Sequence, residues 1–318
     1  MAIRERARQL YARWLNRRLP PARSQQLNQR SVFIFPSSYG FLYLLIVVSL
    51  FIGGINYENN LIMALAFLLV SLFVVAILHT FRNLSGVEIR AGGYESGFAG
   101  DRGSLEVVLT AADGHPHRAL ELRWPGGQGG ELSVEPGEEK SLWLTVPLSR
   151  RGRIHPGRLL VRSTWPLGWL RAWSLVDLDH RCLAWPRPLP GGDCPSGGGD
   201  ETEGRRIRVQ GSDDFQGLRG YVSGDSPRLV DWKAYARSGD LYTKLFADPA
   251  EGWLWLEWER MTGQDAETRL ARLSWWVLEM ERRRRRYGLR IPGTELAPSL
   301  GVDHRREALD SLALYGES

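Results

Sequence analysis

Residues 39–55 read YGFLYLLIVVSLFIGGI and residues 61–78 read LIMALAFLLVSLFVVAIL, with only NYENN between them. Neither stretch holds a charged side chain, and Glu58 in the link is the one charge between Phe41 and Leu78. A bilayer core takes roughly 20 apolar residues in a helix, with a working range of about 17 to 25. Both stretches fall in that range, and Phe33, Ile34 and Phe35 stand ready to lengthen the first. The short polar link predicts two antiparallel helices. Soluble core helices seldom stay apolar on every face over this length, so the stretch reads as a membrane hairpin.

The cations around the hairpin orient it. Eight arginines (Arg4, Arg6, Arg8, Arg13, Arg17, Arg18, Arg23, Arg30) and a single acid, Glu5, precede it, whereas the NYENN link has no Lys or Arg. The positive-inside bias then keeps the N-terminus in the cytoplasm, sends the link across, and returns the chain to the cytoplasm at Arg82. The apolar segment starts too late for a cleaved signal peptide and lacks a small-x-small exit. Formal net charge is +5, less than the N-terminal arginines supply, so the rest of the chain is slightly acidic. The basic balance therefore points to topology and anionic lipid rather than to nucleic acid. Residues 1–19 carry Leu10 and Trp14 on one helical face, as a basic amphipathic helix on the inner leaflet would; a frayed tail is the alternative. Two cysteines, Cys182 and Cys194, make no disulfide framework and suit a reducing compartment.

Beyond the hairpin the hydrophobic period changes to alternation. Residues 87–90, 105–110, 120–124, 132–134, 142–146, 159–162, 170–175 and 183–185 predict short strands separated by Gly, Pro and Asp clusters. That spacing predicts an antiparallel, sandwich-like all-β domain over 85–188. Residues 189–204, LPGGDCPSGGGDETEG, have no hydrophobic period and read as a linker. From 205 the pattern is mixed. A helix is expected over 227–237, capped by Asp225 or Ser226 with Pro227 in its first turn. A buried strand over 253–258, a long helix over 265–286, a strand over 289–291 and a helix over 304–315 follow. This order predicts a small α/β unit with a parallel strand pair.

The densest set of chemistry-bearing residues is 213–246, DDFQGLRGYVSGDSPRLVDWKAYARSGDLYTKLF. Arg219, Tyr221, Gly224, Asp225, Arg228, Asp231, Trp232 and Lys244 stand there in the order Arg-x-Tyr-x-x-Gly-Asp, Arg, acid-Trp, Lys-x-Phe. This pattern resembles the bacterial family known as domain of unknown function 58. Residues 149–157, SRRGRIHPG, and 164–170, TWPLGWL, are similar to two further pieces of that family, and paired spans followed by a β-domain agree with it. The resemblance implies a von Willebrand factor A-like final domain and a working partner, a MoxR-type AAA+ ATPase, with a transglutaminase-like membrane protein as a further associate. It also implies a metal site of Asp-x-Ser-x-Ser type at the end of the first strand of that domain. Here the matching stretch is LEWERM, residues 256–261, in which Glu257 and Glu259 replace the usual oxygen ligands and Trp258 and Arg260 intrude. The implied domain is thus a degenerate, shortened version, and no metal or other cofactor is expected.

Two readings of the signature stand side by side. In one, Arg219, Tyr221 and Trp232 belong to a docking face for a protein partner. In the other, the charges cap and orient a helix, which accounts for Asp225 and Pro227 but not for those three residues. A hydrolase using Asp225 and Ser226 is an alternative, set against it by Pro227, which makes Ser226 look like a cap. A metal-dependent adhesion module is another. His180, Cys182 and Cys194 are too few for a structural zinc site, and no Gly-rich loop carries a following Lys-Ser/Thr. Arg282–Arg286 reads as a solvated helix end, with the membrane surface as second reading and nucleic acid as third.

The reading from sequence is a basic N-terminal segment (1–36), a transmembrane hairpin (37–80), the β-domain, the linker and an α/β domain (205–318). It describes a non-enzymatic adaptor at the inner membrane, both termini cytoplasmic, in contact with lipid and the AAA+ partner.

Overall fold

The computed structural model describes residues 20–197, 215–221, 232, 235, 241–246 and 253–316. The chain divides into two compact units, Met1–Arg187 with Ala313–Ser318, and Pro188–Leu312.

In the first unit, β1 (Ser24–Gln26) and β2 (Phe33–Pro36) precede helices α1 (Ser38–Asn56) and α2 (Asn60–Leu84). Both helices are long and apolar enough to cross a membrane, and most of their residues face outward rather than into protein. They pack on each other through small and aromatic groups. Gly54 lies so close to Met63 that a Cβ would stand 2.7 Å from its side chain, and Phe51 meets Phe67 edge to face at 5.8 Å. Asn59 begins α2 by accepting from the amides of Leu61 and Ile62.

After the hairpin come β3 (Val87–Glu95), β4 (Gly97–Phe98), β5 (Arg102–Ala111), β6 (His117–Arg123), β7 (Gly130–Val134), β8 (Glu139–Pro147), β9 (Gly152–Ile154), β10 (Leu159–Ser163), β11 (Leu170–Val176) and β12 (Cys182–Trp185). Three sheets result, in the orders β1-β3-β5-β8, β2-β11-β10-β6-β7 and β4-β12-β9. Alternate residues turn inward, Leu105, Val107 and Leu109 from β5 and Leu159 and Val161 from β10, all fully buried in one core with Trp124. Each strand expected from alternation is present.

The segment before the hairpin departs from expectation. Phe33, Ile34 and Phe35 do not lengthen the first span; they form β2, with Phe33 registered against Trp173 and Phe35 against Arg171 of β11. Likewise β1 pairs with β3, Ser24 opposite Arg90. Part of the stretch read as a separate N-terminal segment is therefore built into the β-domain, and the hairpin is an insertion between two of its strands. The physical reason is that a backbone leaving one sheet edge unpaired is costly, and these residues supply the missing partners.

In the second unit, β13 (Ser196–Gly197) lies within the expected linker and pairs with β16 (Leu254–Glu257). Before β16 stand β14 (Phe215–Gly220) and β15 (Tyr242–Phe246), an antiparallel pair. Helix α3 (Ala266–Arg282) connects β16 to β17 (Tyr287–Ile291), which runs parallel to it as expected. Then β18 (Thr294–Ser299) returns antiparallel, and α4 (Val302–Leu314) follows. Asp265 caps α3 by accepting from the Thr268 amide at 3.2 Å, and Leu270, Leu273, Trp276, Val277 and Met280 form its buried stripe. The helix stops short of the expected 286. Arg283 is its cap, and Arg284 takes a φ of 52° that no helix continues through.

Candidate functional site

The signature segment is described only in part. Gly224, Asp225, Ser226, Arg228 and Asp231 lie outside the described residues. Arg219 sits on β14 opposite Thr243, and Lys244 on β15 opposite Leu218, so the two residues stand one register position apart on neighbouring strands. Tyr221 extends the pair, its amide donating to the Leu241 carbonyl at 2.9 Å, and its side chain is exposed. Trp232 is helical, 58% exposed, and edge-on to Tyr235 at 6.3 Å. Two aromatics that a solitary fold would gain by burying thus face water.

Glu257 ends β16, and Glu259 follows in a single 3-10 turn, Trp258–Arg260. The Glu257 carboxylate accepts from Arg290 at 3.2 Å and from Arg260 at 3.4 Å. Arg290 also lies 3.8 Å above the Trp255 ring, a cation–π position that fixes its guanidinium. Two arginines thus occupy the oxygens that a cation would need. Among the described residues no group of three or more His, Cys, Asp or Glu is placed to hold a metal.

The best-defined constellation is one that sequence reasoning passed over, the root of the hairpin. Where α1 begins, Ser37 takes an extended conformation and accepts from the Gly40 amide at 3.2 Å. Its hydroxyl donates to the Gly168 carbonyl at 2.5 Å and its amide to the Trp169 carbonyl at 2.8 Å. Gly40 then crosses that turn so tightly that a Cβ would lie 2.0 Å from the Trp169 oxygen. One turn on, the Tyr43 ring stacks on Trp169 at 3.9 Å and its hydroxyl donates to the Leu69 carbonyl of α2 at 2.8 Å.

Where α2 ends, the contacts are polar and buried. Asn83 Nδ2 donates to the Arg118 carbonyl and to Ser163 Oγ, each at 2.9 Å, and Asn83 Oδ1 accepts from the Arg118 amide at 2.8 Å. The fully buried His117 ring lies between the Asn83 carbonyl at 3.0 Å and the Asp113 carboxylate at 3.1 Å. Gly86, at φ +94°, lets the chain turn away directly beneath Asp113, where a Cβ would stand 2.2 Å from a carboxylate oxygen. Asn83 and His117 are 34 residues apart, so no local motif announces them. Nothing local in the TWPLGWL stretch marks it as the seat of a helix.

Burial pushes the thiols of Cys182 and Cys194 up to about 11, which leaves both protonated and poor nucleophiles at neutral pH. Burial lowers the pKa of His180, whose Nε2 lies 3.1 Å from the carbonyls of Gly93 and Glu106.

No family model matches the chain. No curated protein matches it either. Among solved structures, the solution structure of a CARDB domain from Pyrococcus furiosus aligns with 29% of this chain and 95% of its own length, at 14% identity and a TM-score of 0.20.

Proposed function

We propose that this chain is a membrane-anchored, non-enzymatic adaptor of the domain-of-unknown-function-58 type, working with a MoxR-type AAA+ ATPase at the cytoplasmic face of the bacterial inner membrane. The observation that carries the reading is the insertion of the hairpin into the β-domain. Strands on both sides of the hairpin belong to one folded body, and both ends of the hairpin are fastened to it by buried contacts. Such a mount holds the β-domain at a set distance from the bilayer, which suits the anchor of a protein that meets a machine arriving from solution.

Orientation rests on the arginines that precede the hairpin and on Arg82, which follows it. The docking face is assigned to Arg219, Tyr221, Gly224, Asp225, Arg228, Asp231, Trp232 and Lys244. Tyr221 and Trp232 are exposed, and Tyr, Trp and Arg are the residue types that dominate binding energy at interfaces. The order β16–α3–β17, with a parallel strand pair, supports reading the last domain as a shortened von Willebrand A-like fold. Glu257, held by two arginines, supports one without the metal of that fold.

The test is a pull-down from native membrane in detergent, comparing wild type with Arg228→Glu and Asp231→Arg. Capture of an AAA+ ATPase by wild type but not by well-folded variants supports the reading. Equal capture by all three makes the signature structural, and no ATPase from solubilised material removes the adaptor assignment.

A further inference from the structure

The hairpin helices differ in length in a way that locates the membrane surface. At 1.5 Å per residue the 19 residues of α1 span about 28 Å, and the 25 of α2 about 37 Å. A hydrocarbon core is about 30 Å thick. Helix α1 has nothing to spare, so its first turn lies at the boundary between acyl chains and headgroups. Helix α2 has roughly a turn and a half in excess, and Thr80, Asn83 and Leu84, buried in the β-domain, are where that excess goes.

Whatever is bonded to the first turn of α1 therefore sits at the same depth. The turn before β11 is bonded there through Ser37 and Gly40, as described above. Pro166 and Leu167 form its tip, and Leu167 is 47% exposed. Beside it, Phe35 of β2 is 60% exposed and edge-on to Phe41 at 5.7 Å; Phe41 in turn lies on the outward side of α1. Phe33 stacks on Trp173 at 4.8 Å along the same strand pair, and Arg171, exposed, is registered opposite Phe35. The lipid-facing surface of the helix thus continues without a break onto the edge of the β-domain. That edge has the composition of an interfacial belt: aromatics with a cation among them.

We propose that the Pro166–Leu167 tip and Phe35 form a third membrane contact, seated in the headgroup–acyl boundary of the leaflet where α1 begins, with Arg171 on the phosphate of an anionic phospholipid. The occupant is lipid because the patch is continuous with the hairpin's outward face and level with its end. The contact fixes the tilt of the β-domain on the bilayer, which two helices alone leave free. It requires only that the hairpin spans, so it stands or falls separately from the choice of protein partner.

The experiment uses the full chain in nanodiscs of phosphatidylcholine with phosphatidylglycerol, in a Cys194→Ser background. A nitroxide is attached at Leu167→Cys, Phe35→Cys or Gln128→Cys in turn. Gln128 lies at the far end of the same sheet, next to the Leu122–Gly130 pairing. Collision with oxygen is compared with collision with a water-soluble nickel chelate, and circular dichroism confirms each fold. Labels at 167 and 35 should be oxygen-accessible and nickel-protected, and the label at 128 the reverse. A label at 167 that meets nickel as freely as the one at 128 overturns the membrane contact. The headgroup assignment is tested by adding Arg171→Glu to Leu167→Cys and comparing discs with and without phosphatidylglycerol. The single variant should seat deeper on the anionic lipid and the double variant should show no such difference. A difference that persists removes Arg171 from the phosphate.

Discussion

The two ends of the hairpin are fastened to the same β-domain with a different balance of shape and polarity. Where α1 begins, two hydrogen bonds from Ser37 to the Gly168 and Trp169 carbonyls go with a close steric fit: a helix glycine against a backbone carbonyl, and a tyrosine ring flat on a tryptophan. Where α2 ends, it is polar: one asparagine side chain serving Arg118 through both its oxygen and its nitrogen and also bonding Ser163, with a buried histidine bridging to a carboxylate. The difference follows from surroundings. The first turn of α1 opens a helix that is long and apolar enough to cross a membrane, where shape and aromatic area are available and unpaired polar groups are expensive. The last turns of α2 enter a domain interior, where backbone groups at a helix end and at neighbouring strands need partners.

Removing the polar fastening should have the largest effect. Asn83→Leu fills similar space but leaves the Arg118 amide and Ser163 buried without that partner, each worth about 1–3 kcal/mol. We expect a loss of about 3 kcal/mol in chemical unfolding of the detergent-solubilised protein. If Asn83→Leu unfolds with wild type, this end is held by packing and the contrast fails. Next comes the steric fastening. Gly40→Ala puts a methyl group into the Trp169 carbonyl, an overpacking conflict of about 2 kcal/mol. The internal control is Gly53→Ala on the same helix, where nothing lies within 4 Å of the added Cβ. Similar destabilisation of both variants would mean that helix flexibility, not the fit at Trp169, is being read.

The smallest effect belongs to a buried carboxylate whose two arginine partners reach water, and it has a pH signature. Hydrogen bonds from Arg282 and Arg283 at 2.7 and 2.6 Å hold the Glu279 carboxyl down to about 2. A carboxyl whose folded pKa is depressed stabilises the fold above its unfolded pKa, near about 4.3, and loses that stabilisation as pH falls towards the folded value. The acid limb of the stability profile should therefore flatten in Glu279→Gln between those two pH values. An unchanged limb would assign the acid sensitivity to other carboxyls.

Much of this was legible in the chain. Charge-free runs of 17 and 18 residues predict helices wherever they fold, because the backbone must satisfy itself in lipid. Alternation gave the strands from β3 onward because each presents one face to a core. Asp265 with the stripe from Leu270 to Met280 predicted α3, capped at that same aspartate. Other elements carried no local signal. Ser24–Gln26 is polar and three residues long, and it becomes a strand only because β3 offers an open edge. Phe33–Phe35 looks like more of the span, since three adjacent apolar residues fit a strand or a helix equally. The register with Arg171 and Trp173, more than 130 residues away, decides between them. The hairpin root was hidden for the same reason: Ser37, Gly40, Asn83, His117 and Ser163 are ordinary residues apart, and a site only together.

By itself, then, the amino-acid sequence determined the hairpin, the β-domain that follows it and the parallel α/β pattern beyond, because each is written in local hydrophobic period and charge. Only the tertiary structure decided that the hairpin is an insertion within the β-domain rather than a leash in front of it. That outcome depends on pairing between strands on either side of some fifty intervening residues, a choice made by open sheet edges and not by any property of the segments that fill them.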